Sequence, residues 1–178
     1  MQHAVSQIAP VVLRIDELEK AFCGGGDEDS GVSQRILGSF LTWMQDRAGD
    51  VSVVATANNI SRPPAEFLRK GRFDEIFFVD LPDEATRAEI FQIHLENRGQ
   101  DSEAFDLERL NTATPGFSGS ETEEVVVSSP YSAFSETGAI TTESLLEEAA
   151  GTVPFSVTRA EYVDELRSWA REKARPAN

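Results

Sequence analysis

Two short apolar runs, "VVLRI" (11–15) and "VSVVATA" (51–57), flank one amphipathic stretch, and this order restricts the fold more than any other feature. Between them Val32, Ile36, Leu37, Phe40, Leu41 and Met44 recur at three- and four-residue intervals. That spacing predicts a helix from Ser33 with one apolar face. Two strands joined through a helix of about a dozen residues run parallel, because a parallel pair needs a crossover that no hairpin supplies. A third run, "IFFV" (76–79), reads as a further strand. Continuous rather than alternating apolarity predicts strands covered on both faces. The segment "AFCGGGDEDSG" (21–31) has no periodicity and reads as a loop.

After "DLPD" (80–83) the pattern turns helical. Asp83 is placed to cap a helix that carries Ala88, Phe91 and Leu95 and ends at Gly99. A second helix is expected over 106–113, stopped by the Pro115-Gly116 turn, and a third from near Ser118. An interior proline costs a helix about 3 kcal/mol, so Pro130 predicts a break near Ser128-Ser129-Pro130. Ile140 before Thr141, with Leu145 beyond, has the form of a hydrophobic staple. Thr158 with Glu161 reads as a capping box for a last helix through about Lys173, with Val163, Leu166 and Ala170 facing inward. The expected class is α/β: a partial parallel-sheet core over 1–82, an all-helical domain over 83–150 and a helical extension over 151–178.

The balance of charges narrows the partners. A net charge of −15 argues against a nucleic-acid partner, which needs clustered Lys and Arg. The single cysteine, Cys23, forms no internal disulfide and lies in an acidic stretch with no base beside it. No run approaches the length of a membrane span. A soluble cytoplasmic protein without a membrane span is expected. His3 and His94 have no ligand spacing, so a histidine metal site is not expected.

Three features bear on chemistry. Asp16 and Glu17 close the first strand, where two carboxylates either hold hydrated Mg²⁺ and orient water or simply enter a polar loop. Asn58 follows the second strand. In a parallel sheet both carboxyl ends share the ligand-binding edge. An amide there positions water or phosphate, or else belongs to an Asn-Asn turn. Arg69 and Arg72, three apart around a glycine turn, either point outward together toward a phosphate charge or form a solvated pair. Arg14 shares a strand face with Asp16, so it either pairs with that acid or snorkels past the sheet edge.

Taken in order, these segments resemble the AAA family of ATPases. "VVLRIDELEK" is similar to the Walker B strand, "ATANN" to the sensor-1 strand end, and "FLRKGRFDE" to the arginine-finger segment. "TPGFSGSETEEV" (114–125) resembles the start of the lid helix that faces the adenine. "GVSQRILGSFLTWMQD" with "VVATANNISRPPAEFLRKGRFDEIFFVDLP" is most similar to the branch encoded in cyanobacteria and some chloroplast genomes. The resemblance implies a P-loop NTPase core with a helical lid, and ATP and Mg²⁺ as ligands. Asp16 would help hold the metal, Glu17 would polarise the attacking water, and Asn58 would orient it. Arg69 and Arg72 would act on a neighbouring subunit's nucleotide in a ring, usually a hexamer, that remodels protein partners. Gly119 and Ser120 would lie against the nucleoside.

The sequence also departs from that family. No G-x-x-x-x-G-K-[ST] occurs in the 178 residues, and "CGGGDEDSG" has no lysine to replace it. The expectation is therefore that the phosphate loop, the first pore loop and a strand between the 51–57 and 76–79 strands lie outside this sequence. The family usually carries an apolar or aromatic residue where Arg14 stands. Beside an ATPase module stand two alternatives: a non-catalytic ring or interaction fragment that supplies arginine fingers, or a truncated inactive product.

Overall fold

The computed structural model describes residues 10–23, 30–46, 50–59, 66, 67, 69, 71–133 and 140–177. The chain divides into two compact units, Met1–Ile76 and Phe77–Asn178.

In the first unit β1 (Val11–Ile15) pairs in parallel with β2 (Val51–Ala55), in a register that sets Val12 opposite Ser52 and Arg14 opposite Val54. Between them come α1 (Leu18–Cys23) and α2 (Ser30–Asp46). The crossover inferred from periodicity is present, with α2 starting three residues before the expected Ser33. Both ends of the expected 21–31 loop are helical, and residues 24–29 lie outside the described ones. Leu18, Leu41, Met44 and Phe67 form the buried core, with Ile15, Ala55, Leu37, Phe40, Trp43 and Phe73 packed on it. Phe67 fills the centre, its ring 6.2 Å from that of Phe40 and 6.3 Å from that of Phe73.

Among the described residues the strands are not covered on both faces as expected. Val12 and Val54 are 66% and 53% exposed, and Arg14 lies on their side. Among the described residues only one face meets helices, because Ile15 and Ala55 pack against the α1–α2 layer. Ile36, which periodicity assigns to the apolar face of α2, is also exposed.

The second unit begins with β3 (Phe77–Phe78) and packs α3 (Glu84–Glu96), α4 (Leu107–Ala113), α5 (Gly119–Ala133) and α6 (Thr142–Gly151) around one core. Phe91, Leu95, Leu110, Phe117, Val125, Val126, Leu145 and Ala149 are its buried members. Each of these helix starts is built from a local side-chain acceptor. Asp83 accepts from the Thr86 N–H at 2.8 Å, and Asp106 from the Arg109 N–H at 3.0 Å. Ser118 and Glu121 bond reciprocally, through Ser118 N–H to Glu121 Oε2 at 2.7 Å and Glu121 N–H to Ser118 Oγ at 3.3 Å. Thr141 and Ser144 form a full capping box, and Ile140 packs against the core cluster that contains Leu145, in keeping with the staple pattern. Gly99 closes α3 at φ +71°, with the Gln100 N–H reaching back to the Leu95 carbonyl.

Three expectations are corrected. α5 runs through Pro130 instead of breaking there. Pro130 sits in the last turn, where the missing N–H removes one bond near an end that frays in any case. Thr158 does not cap the last helix. It ends a short α7 (Phe155–Thr158), and α8 (Ala160–Lys173) starts at Arg159 without a side-chain cap. Val163 and Ala170 are buried on α8 as expected, and Leu166 is half-buried. The second unit is also not purely helical. β4 (Arg175–Pro176) pairs in parallel with β3, so among the described residues "IFFV" joins the carboxy-terminal tail and not β1 or β2. A two-residue strand containing proline gives no periodic signal. Arg167 of α8 fixes this arrangement by donating Nε–H to both oxygens of Asp80, at 3.0 and 2.9 Å.

Candidate functional site

The carboxyl ends of β1 and β2 bring Asp16, Glu17, Thr56 and Asn58 together. Ile15 accepts from the Thr56 N–H at 2.9 Å, extending the ladder beyond the last strand residues, and the Thr56 carbonyl accepts from the Leu18 N–H at 2.8 Å. Between these bonds the chain must turn sharply from strand into α1. It does so at Glu17, whose φ of +51° lies in the left-handed region. A non-glycine residue held there stores strain of order 1–2 kcal/mol, which persists where surrounding bonds over-determine it. Thr56 supplies one such bond, its Oγ1 accepting from the Glu17 N–H at 3.1 Å.

The turn aims the Glu17 carboxylate at Asn58, which donates Nδ2–H to Glu17 Oε1 at 3.2 Å. The same oxygen takes Lys20 Nζ at 2.6 Å. Asn58 is also held by Glu19, whose Oε1 accepts the Asn58 backbone N–H at 3.0 Å. Asp16 is engaged elsewhere on the edge. Arg14 donates Nε–H to its Oδ1 at 3.0 Å and brings Nη2 to the same 3.0 Å distance, and Thr56 Oγ1 lies 3.3 Å from that oxygen. Of the two options for Arg14, the structure shows the ion pair.

Asp16 is the expected metal ligand, and in this structure its carboxylate is paired with Arg14. Its Oδ1 already faces three donor atoms. Among the described residues no three His, Cys, Asp or Glu side chains converge.

Arg69 and Arg72 do not point outward together. Arg69 is exposed, but Arg72 is half-buried and turned back, donating Nη1–H to the Glu66 carbonyl. Its Nε is buried without a partner. The cause is the turn at 66–67, whose Glu66 carbonyl accepts from the Arg69 N–H at 3.3 Å and takes Arg72 as a second donor. Gly71, at φ +90°, allows the chain to double back.

In the second unit Gly119 and Ser120 open α5. Ser120 is exposed, with Oγ 3.2 Å from that of Ser118, and a Cβ at Gly119 would meet Ile90 at an ordinary 3.6 Å. His94 is half-buried on α3 with Nδ1 3.5 Å from Glu123.

Sequence reasoning missed Thr56, Glu19 and Lys20. Thr56 stands in "VVATANN" close before the amide, so its position is visible but its hydroxyl announces no task. Glu19 and Lys20 depend on the turn at Glu17, which converts a strand period into a helical one within two residues.

Comparison with known proteins bears on the family and the fold. A profile described as "ATPase family associated with various cellular activities (AAA)" matches residues 1–81. The chain is 42% identical over 174 residues to the "Uncharacterized AAA domain-containing protein ycf46" of Pyropia yezoensis, covering 96% of this chain and 35% of that protein. It is likewise 42% identical over 165 residues to the protein of the same description in Guillardia theta, covering 92% and 33%. The chain thus spans about a third of the length of the curated relatives it matches. Among solved structures, the FIGL-1 AAA domain in complex with ADP superposes with a TM-score of 0.76 at 21% identity, over 97% of this chain and 61% of that one.

Proposed function

The chain belongs to the AAA family of ATPases, and on that premise we propose that it is part of an AAA module coupling ATP binding and hydrolysis to remodelling of protein partners. One observation carries the reading: Asn58 Nδ2 sits 3.2 Å from Glu17 Oε1 at the shared carboxyl edge of two parallel strands. Ligands of open parallel sheets bind at that edge. A carboxylate paired with a neutral amide is suited to orient a water, the carboxylate accepting its proton and the amide fixing its position. Glu17 and Asn58 take those roles, and Lys20 holds the carboxylate in place until substrate enters. Arg69 reaches a neighbouring subunit's nucleotide in a ring, a hexamer by the habit of the family, and Arg72 joins it on leaving Glu66. Gly119 and Ser120 lie against the nucleoside. Residues 1–82 then serve as the carboxy-terminal part of the core, 83–150 as the lid and 151–178 as an extension.

Hydrolysis in this reading needs a phosphate loop, and none occurs in the 178 residues. The module acts together with a P-loop-bearing segment, and a cation at Asp16 competes with the exposed Arg14 pair. The Arg14–Asp16 pair favours a second reading, in which the chain completes a ring and offers Arg69 without hydrolysing nucleotide at its own site.

Single-turnover hydrolysis, measured with a P-loop-bearing AAA half-domain supplied, tests the first reading. Asn58→Ala is expected to slow it by about 10²-fold, the scale of a lost general-base contact, with nucleotide affinity kept. An unchanged rate would leave the second reading.

A further inference from the structure

Among the described residues of this edge, Glu19 is the acidic side chain almost wholly removed from water, at 4% exposure. Its Oε1 accepts the Asn58 N–H at 3.0 Å, and its Oε2 is buried with no hydrogen-bond partner. Burying a carboxylate with half its acceptor capacity unused is unfavourable, and an apolar residue of similar volume fits a core at lower cost. The position therefore asks for an acceptor and not merely for bulk. Leu18, its neighbour on α1, belongs to the core, so Glu19 is anchored to a rigid layer. Asn58 stands beyond the end of β2, outside any regular element.

We propose that Glu19 is a positioning residue for the Glu17–Asn58 pair. It grips the backbone of Asn58 from α1, and the Asn58 side chain then reaches Glu17 at 3.2 Å. The path runs from Glu19 Oε1 to the Asn58 N–H, through Asn58, to Glu17 Oε1, so both ends rest on the same short segment of chain at 17–19. That closed loop fixes the separation of base and amide without either residue lying in a strand. Glu19 touches neither the attacking water nor phosphate in this role. The inference rests on reading Glu17 and Asn58 as the water-orienting pair, but its geometry stands without nucleotide.

The test uses the chain itself, by amide hydrogen exchange and by the side-chain NH₂ resonances of Asn58 in nitrogen-15 NMR spectra. Glu19→Ala is expected to lower protection of the Asn58 N–H by about tenfold or more, the scale of one lost hydrogen bond to a charged group, and to shift the Asn58 NH₂ pair toward free-amide positions. Glu19→Gln, which keeps a carbonyl acceptor, is expected to retain both signatures. Retention in Glu19→Ala, or loss in Glu19→Gln at an unchanged melting temperature, would overturn the proposal. Should Glu19→Ala not fold, the Gln variant alone decides between retention and loss. Because the test needs no nucleotide, its failure is separable from failure of the ATPase reading, which appears only as absent nucleotide binding or hydrolysis.

Discussion

Arg14 and Asp16 are joined on the exposed face of β1, with Nε and Nη2 each 3.0 Å from Oδ1. Their side chains are 72% and 57% exposed, so the pair is a surface one. Such pairs contribute about 0.2–1 kcal/mol. Arg14 is thus a weak competitor for Asp16 and not a lock. Arg14→Gln is expected to raise the affinity of Asp16 for Mn²⁺ by up to about fivefold, the equivalent of that energy. The gain should shrink as salt rises, because screening weakens exposed pairs. Paramagnetic broadening of the Thr56 and Leu18 amides reads the binding, and equal broadening in both proteins would make Arg14 a bystander.

Arg69 and Arg72 are expected to separate. Arg69→Ala should leave the melting temperature unchanged, since the side chain is exposed. In a reconstituted ring it should lower hydrolysis by up to about 10³-fold, the lower end for an arginine acting in trans. Arg72→Ala should lower the melting temperature as well, because it removes a donor from the Glu66 carbonyl. Thermal unfolding followed by circular dichroism tells the two apart.

The amino-terminal cap of α3 makes the second unit acid-sensitive. The Thr86 backbone N–H, first among the causes, holds the Asp83 carboxyl below its ordinary value of 3.8. A carboxyl lowered in the folded state contributes stability that is fully present above 3.8 and is lost as pH falls through the folded value. Glu96 acts in the same direction from 4.5, held down by Gln92 and then Ser102. Asp83→Ala should therefore lower stability near neutral pH and flatten its decline in acid. Melting curves across that range check it, and an undiminished acid limb would remove Asp83 as a source of the sensitivity.

Gly116 is favoured by its backbone, and a side chain there would also displace the Ser156 hydroxyl. Its φ is +74°, and an added Cβ would lie 2.5 Å from Ser156 Oγ. Gly116→Ala should destabilise by about 1–2 kcal/mol from backbone strain alone. Adding Ser156→Gly should relieve the clash and leave the strain. Chemical denaturation of the single and double variants measures both parts.

The parallel crossover, the cap at Asp83 and the staple at Ile140 and Leu145 are legible in sequence because each rests on local spacing. The Asp16–Glu17 and Asn58 juxtaposition is legible because two strand ends of a parallel pair must share an edge. What escapes depends on non-local geometry. The turn at Glu17 buries Glu19 and brings Lys20 back onto Glu17, and no periodicity announces a left-handed residue. The Arg72 guanidinium folds onto Glu66 because a turn carbonyl needs a donor. β4 has two residues, one of them proline, and is a strand only because β3 lies beside it. The average cost of an interior proline misleads at Pro130, whose place in the last turn makes that cost tolerable.

The most direct measurement is calorimetric titration of ATP with Mg²⁺ into the chain, alone and with a P-loop-bearing AAA half-domain, for the parent and Glu17→Gln. The account predicts no saturable binding by the chain alone. It predicts binding by both proteins when the half-domain is present, and hydrolysis by the parent only. Saturable binding by the chain alone, or undiminished hydrolysis by Glu17→Gln, would contradict it.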